Sequence, residues 1–598
     1  MLKSARIQAT SALSLLVFCA TIVPATAQLP APSPANDLDG PGIVFAFGWP
    51  QTRSLLPAAQ LEAGEIEAAP VDVSGFLPAG ALAGIGDPLR GRMILPDTAV
   101  SIRALGSKVD GGIVLPATKL DLISHGDRLL PVQDLEDTVI RPDRRFTLHF
   151  GVGRIWRETT DGDRSRALLP VTLIDSRYRA AHNGLALFLY GGDAPPSPVL
   201  FQFTQESAPE RAADIWATAR AVFRDREPNN AGIRIAAFET RQATAPVFKE
   251  WSDLPGYPAP ALDGFDGAPE IAGSVSASGL VVEETAYLKG CPTRTGPYPF
   301  CRQMRHALGA ASGTLLAFAA VAHLTQRFGS EVLTDRIAKR LPELAGHPTW
   351  TRATPRDVLN MAVGIDHWRA VPDPSERAAL VAETREAILA AAAMAPSGDG
   401  LPGVRFVYRP GDLMTLSVAL DAHAKARFGP NGSLRAALDE GFFKPMGLRR
   451  VQMQVTAGAA PWDRVPDLAN GFYPTTGELV RIIAALQRTA DRTRKSGFDG
   501  ALSREALRPT EALGFDTGMA AEAGPLRWHL GFWRRPVQPS PNCRRFVASA
   551  IGRGGTVISL MPNRVAAFRI ADGTPAAPGT RDSSALRAAG HAVRPFCG

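Results

Sequence analysis

Few side chains in this sequence have the type and spacing needed for catalysis. Ser312 lies in "RHALGAASGTLLAFAAVAHL", residues 305–324, where a long apolar run begins. A serine hydroxyl attacks only when a base takes its proton. A lysine three residues further along a helix stands about 60° around the axis, within reach of that hydroxyl. Lysines occur at 3, 108, 119, 249, 289, 339, 425, 444 and 495, and none has Ser or Thr three positions before it. No Gly-x-Ser-x-Gly elbow supplies a substitute. Other candidates are Tyr408 in "FVYRPGDL" and Arg553 among Gly552, Gly554 and Gly555 in "AIGRGGT". Asp161 and Asp163 in "TTDGDRSR" hint at a calcium loop, but read better as a surface turn. The sequence carries no CxxC or HExxH, so neither metal nor cofactor is expected.

The rest of the chain must position these groups. At 598 residues and 45% hydrophobic content it is expected to form two or three globular domains. Lys3 and Arg6, the apolar "ALSLLVFCATIV" and "ATA" ending at Ala27 form an export signal, giving a mature start at Gln28 and a periplasmic or secreted protein. Phe18 before Cys19 is too bulky for a lipoprotein signal. Cys291, Cys301, Cys543 and Cys597 then remain, and an even number in an exported chain implies disulfides, 291 with 301 and 543 with 597. The formal charge of +7 falls to +5 once Lys3 and Arg6 leave. So mild a bias without a long basic run gives a solvated surface and no nucleic-acid partner. The uncharged stretch 307–322 is shorter than the roughly 20 residues of a membrane span, so it reads as a buried helix and no integral membrane segment is expected after signal cleavage. Gly309 and Gly313 predict close packing of another element at its start.

Residues 28–252 read as a β-rich N-terminal domain. "RFTLHFGVGRIW", "GLALFLYGG", "SPVLFQFTQE" and "GIRIAAFET" have strand composition. One helix is expected among them in "SAPERAADIWATARAVF", from Ser207 and Glu210 at capping-box spacing. The Pro/Gly/Asp-rich 253–270 is the expected linker. Over 271–598 the pattern is a hairpin with its turn at "SASG", then helices opened by Thr354/Asp357 and Thr475/Glu478, then Gly-punctuated strands. That is an α+β domain.

The ordered segments "LPEL" near Pro342, "TPRDVLNMAVGI", "FVYRPGDL", "FFKPMGL" and "GRGGTVISLMPN" resemble the serine β-lactamase and penicillin-binding-protein superfamily, in its class C and 6-aminohexanoate-dimer-hydrolase-like branch. The resemblance spans about residues 262–598. It implies that fold, an antiparallel sheet with a helical block, and a Ser-x-x-Lys nucleophile at the start of the buried helix. Here the Ser position falls on Ala310 and the Lys position on Gly313. Ser312, two residues from Ala310, points about 200° away and is expected to face the packing side, bonded to a backbone carbonyl. Tyr408 matches the family's proton-relay tyrosine or is a core aromatic, with Pro410 where a polar residue belongs. Arg553 takes the place of a Lys or His, either holding a substrate carboxylate or lying in an exposed turn.

The chain thus reads as an inactive hydrolase scaffold with a binding or regulatory role, its partner a small molecule or a cell-envelope peptide. The alternatives are an active esterase, amidase or peptidase using an unrecognised nucleophile, and a lectin-like N-terminal domain on a scaffold.

Overall fold

In the computed structural model the described residues are 39, 55–66, 69–78, 82–134, 136–267, 274–365, 373–397, 400–448, 451–490, 498–572 and 583–597. They belong to one compact unit, Ala31–Gly598. The expected signal segment 1–27 and the end of the expected linker, 268–270, lie outside the described residues.

Among the described residues the first half builds a twelve-stranded antiparallel sheet. At its centre Ser165–Asp175, Ala180–Tyr190 and Val199–Glu206 pair in chain order. Side chains alternate across a strand, so Leu185, Leu187 and Leu189 face one core while Ala186, Phe188 and Tyr190 face another. The second core also gathers Met93 and Leu122, on neighbouring strands near one end of the sheet order, with Ile215 from near the other end, so the sheet curls around it. The first core continues without a break to Phe318 and Leu413 in the helical block.

The second sheet has nine strands among the described residues. Thr285–Gly290, Val275–Val282, Val565–Ala571, Val557–Leu560 and Cys543–Ile551 lie side by side in that order, all antiparallel. Helix Ala311–Phe328 packs against them and is buried from Ala311 to Thr325. No helix among the described residues is long and apolar enough to cross a membrane. The two predicted helix starts are present: Thr354 opens Pro355–Leu359 with a reciprocal capping box, and Thr475 and Glu478 bond each other's backbone N–H before Thr476–Ala490. The fold is α+β, with a β-rich region ahead of it, as the sequence predicts.

Three local expectations are overturned. The predicted helix over 207–223 is instead the strands Ala213–Ala219 and Val222–Asp225 after a short 3-10 turn. Its Ala213, Ile215, Ala217 and Ala219 alternate into the aromatic core, and that burial outweighs the capping signal. Ser207 Oγ accepts from the N–H groups of Ala181 and Ala307, so it caps no helix. The predicted strand "GIRIAAFET" is helix Ala231–Ala243. There Ala231, Ile235 and Phe238 form one packed stripe, while Ile233, which made the segment look alternating, is 69% exposed. The "SASG" stretch runs through the middle of strand Val275–Val282, and the chain turns at Glu283, where φ is +57°.

In the described part of the expected linker, Leu254, Leu262 and Phe265, with Trp251 just ahead of it, are buried against Leu586 and Ala589 of the C-terminal helix Ser584–Val593. The two expected cysteine pairs stand bonded, with Cα–Cα distances of 5.5 Å for Cys291–Cys301 and 6.1 Å for Cys543–Cys597. The second pair spans 54 residues. Removing it by Cys543→Ser with Cys597→Ser is expected to cost about 4 kcal/mol through release of the unfolded chain. Denaturant unfolding checks this, and an unchanged midpoint would contradict it.

Candidate functional site

Three segments converge on the start of helix Ala311–Phe328. The chain enters it through Gly309 in the left-handed region, φ +52°, and Ala310 at φ −58°, ψ −21°. A Cβ on Gly309 would lie 3.5 Å from Cβ of Arg553, and one on Gly552 would lie 2.5 Å from the Leu308 carbonyl oxygen. The glycine-rich turn after strand Cys543–Ile551 therefore rides directly on the residues leading into the helix, which a side chain at 552 would prevent. From the other side comes helix Asp412–Phe428, which follows the Tyr408 segment. An ideal Cβ on Gly313 would stand 2.8 Å from Leu413 Cδ1. Leu413 thus occupies the space into which a side chain at 313 would grow, and the close packing expected from Gly309 and Gly313 is present.

Ala310, the serine position expected from the family resemblance, is partly exposed and presents only a methyl group. Ser312 is fully buried, and its Oγ accepts the Phe472 N–H at 3.1 Å, where a bond to a carbonyl was expected. That hydroxyl belongs to the packing side of the helix. Thr314 Oγ1 donates to the Gly531 carbonyl at 2.6 Å and ties the helix to the loop between Trp528 and Trp533. The ring centroid of Tyr408 lies 6.0 Å from each of those tryptophans, and Phe406 completes the aromatic group. Arg409 turns the other way, into a buried cluster with Asp373 and Asp412. Next to that cluster burial pushes the Glu376 carboxyl up to about 7, against the pull of Arg409 and with Asp412 and Asp373 adding to the rise.

Arg553 donates to Glu210 at 2.8 Å, and its side chain is 41% exposed. Its guanidinium thus spans from the glycine turn of the second sheet to the first. Gly554 and Gly555 take φ of +67° and +92°, which the tight turn requires. His306 is no base in waiting. Its Nε2 pairs with Thr476 Oγ1 at 2.9 Å, and burial, aided by the charge of Arg305, pushes the ring down to about 3, so it is neutral at physiological pH.

The first sheet closes over this region. Ala307 packs with Ile140, Ile174, Ala181 and Tyr473. Asn183 accepts the N–H of Arg305 at 2.9 Å and donates to its carbonyl at 2.8 Å, gripping the backbone just ahead of the helix. The loop inside the Cys291–Cys301 bridge reaches back the opposite way. Its Arg294 makes a two-pronged bond to Glu206 at 2.9 and 2.8 Å and a third to Asp214 at 2.7 Å, and Tyr298 Oη donates to the Gly184 carbonyl at 2.9 Å. Leu413, Glu210, Asn183 and Arg294 are the residues that the sequence reading missed. Only Glu210 carried a signal, and it pointed to a helix cap.

The Beta-lactamase family profile matches residues 267–577, more than half of the chain. Among solved structures the chain is similar to a penicillin-binding-protein homologue from Caulobacter crescentus, with 17% identity, TM-score 0.37, and coverage of 53% of this chain and 92% of that one. A class C beta-lactamase gives 13%, 0.37, 53% and 91% in the same order. A Bacillus anthracis protein provisionally called a 6-aminohexanoate-dimer hydrolase gives 12%, 0.39, 53% and 79%. No curated protein matches the chain. With the family profile laid over the second sheet, the helical block and the three converging segments, the chain belongs to the beta-lactamase family of serine hydrolases.

Proposed function

We propose that this protein is an exported member of the beta-lactamase family that has given up acyl transfer and acts by binding. The observation that carries the reading is the pair Gly313 and Leu413: the lysine position has no side chain, and Leu413 Cδ1 lies 2.8 Å from where its Cβ would be. Ala310 offers no nucleophile, Ser312 is spent on Phe472, and Arg553 is paired with Glu210. Loss of one nucleophile alone lowers turnover in a serine enzyme by about a millionfold. Here both the attacking group and its activating base are missing.

Export is supported by the N-terminal pattern ending at Ala27 and by the two bridged cysteine pairs, which persist in oxidising compartments. The partner we assign is a small molecule or a cell-envelope peptide held near the glycine turn, where Arg553 and Gly552, Gly554 and Gly555 border the helix start. The test is turnover of p-nitrophenyl butyrate and of a chromogenic cephalosporin by the purified mature chain. The expected rate equals the buffer background for both. A protein-dependent rate that a serine-directed reagent abolishes would overturn the reading.

A further inference from the structure

A second site lies away from the helix start, in a cavity of about 320 Å³ between the first sheet, helix Ala231–Ala243 and residues 303, 305, 475 and 478 of the family domain. The helix contributes Arg234, Ala237 and Arg241. At spacings of three and four these lie on one stripe, so the small Ala237 leaves a notch between two guanidinium groups. The stripe is fixed in place because Ile235 and Phe238 of the same helix pack with Leu130 of the sheet and Val152 of the loop just before strand Gly153–Glu158.

Arg305 faces the cavity from the opposite side, 3.5 Å from Glu478, whose carboxylate already accepts the Thr475 N–H at 2.7 Å. The lining therefore holds three guanidinium groups against one carboxylate. The remaining wall is partly apolar, with Phe150, Val152 and Pro170. Gln303 stiffens this wall, exchanging hydrogen bonds with both the N–H and the carbonyl of Val152 at 2.7 and 2.8 Å.

We infer that this cavity binds a small organic anion, with its carboxylate or phosphate held between Arg234 and Arg241 and a short apolar body lying against Phe150 and Pro170. Guanidinium groups suit such planar or tetrahedral oxyanions because their N–H pairs match two oxygens at once. The volume falls at the lower end of the range for small-molecule sites, which often form where separate structural blocks meet. The site is independent of the non-acylating reading and would stand if a nucleophile were found elsewhere.

The test is calorimetric titration of the mature chain, at low salt, with phenyl phosphate, phenylacetate and the uncharged benzyl alcohol. At least one anion is expected to bind tenfold or more tighter than the alcohol and to weaken as salt is added. The headgroup is the one carried by the tighter anion. Arg234→Gln with Arg241→Gln is expected to lower that affinity by at least about tenfold, the scale of hydrogen bonds to charged groups. Ala237→Phe, which fills the notch from an already surface-lining position, is expected to abolish binding while the unfolding midpoint holds. Equal affinity for all three probes, no binding of either anion, or an unchanged affinity in the double glutamine variant would overturn the site.

Discussion

Replacing Arg294 by methionine is expected to destabilise the protein by about 3–5 kcal/mol, the range seen when one partner of a buried ion pair is removed. Arg294 lies inside the short bridged loop and is the common partner of Glu206 and Asp214, whose side chains are 5% and 0% exposed. Without it Glu206 stays inside the joint between the first sheet and the family domain with no cation, and Asp214 keeps only its pairing with Arg103. Burial already pushes the Glu206 carboxyl up even with Arg294 present, which marks how poorly this site tolerates an unpaired negative charge. Equilibrium unfolding in urea measures the loss. A change within about 0.5 kcal/mol, typical of a surface substitution, would mean that the loop does not clasp the sheet as described.

The second large effect concerns Gly313, the position proposed for the family's lysine. Gly313→Lys alone is expected to destabilise by about 1–3 kcal/mol through overpacking against Leu413. Leu413→Ala alone opens a cavity and costs about 2–5 kcal/mol. If the two side chains compete for one space, the paired change costs less than the two separate losses together, a coupling visible in a double-mutant cycle. Adding Ala310→Ser to that pair gives a chain with hydroxyl and ammonium at the spacing acylation needs, and slow labelling at position 310 by a fluorophosphonate is expected. Strictly additive energies would show that Leu413 does not fill the lysine space.

Much of this site was legible from residue types alone. Lysine spacing is a property of the sequence, so the loss of Ser-x-x-Lys needed no coordinates, and the capping pairs Thr354/Asp357 and Thr475/Glu478 are local signals that fold locally. The errors came where local signals competed with tertiary burial. "SAPERAADIW" carries a helix start, yet Ala213, Ile215 and Ala217 belong to the aromatic core of a curled sheet. "GIRIAAFET" alternates like a strand, yet its Ile235 and Phe238 are the ones that find neighbours. Leu413 was invisible for a different reason: nothing in one sequence says which apolar residue moves into the space that a missing side chain leaves. The same holds for Asn183, which grips the backbone of Arg305 from 122 positions away.

The first sheet therefore changes how the family fold can be used here. It packs on Ala307, bonds Arg305 and pairs Glu210 with Arg553, so the proposed ligand near the glycine turn would meet a surface made by both halves of the chain. Such a rim suits the proposed role in recognition without acylation. The claim on which this rests is that no serine in the protein acylates. Intact-mass measurement after prolonged incubation with a fluorophosphonate and, separately, with a penicillin tests it most directly. The account predicts an unchanged mass with both reagents, whereas a stoichiometric adduct mapped by peptide mass to any serine would contradict it.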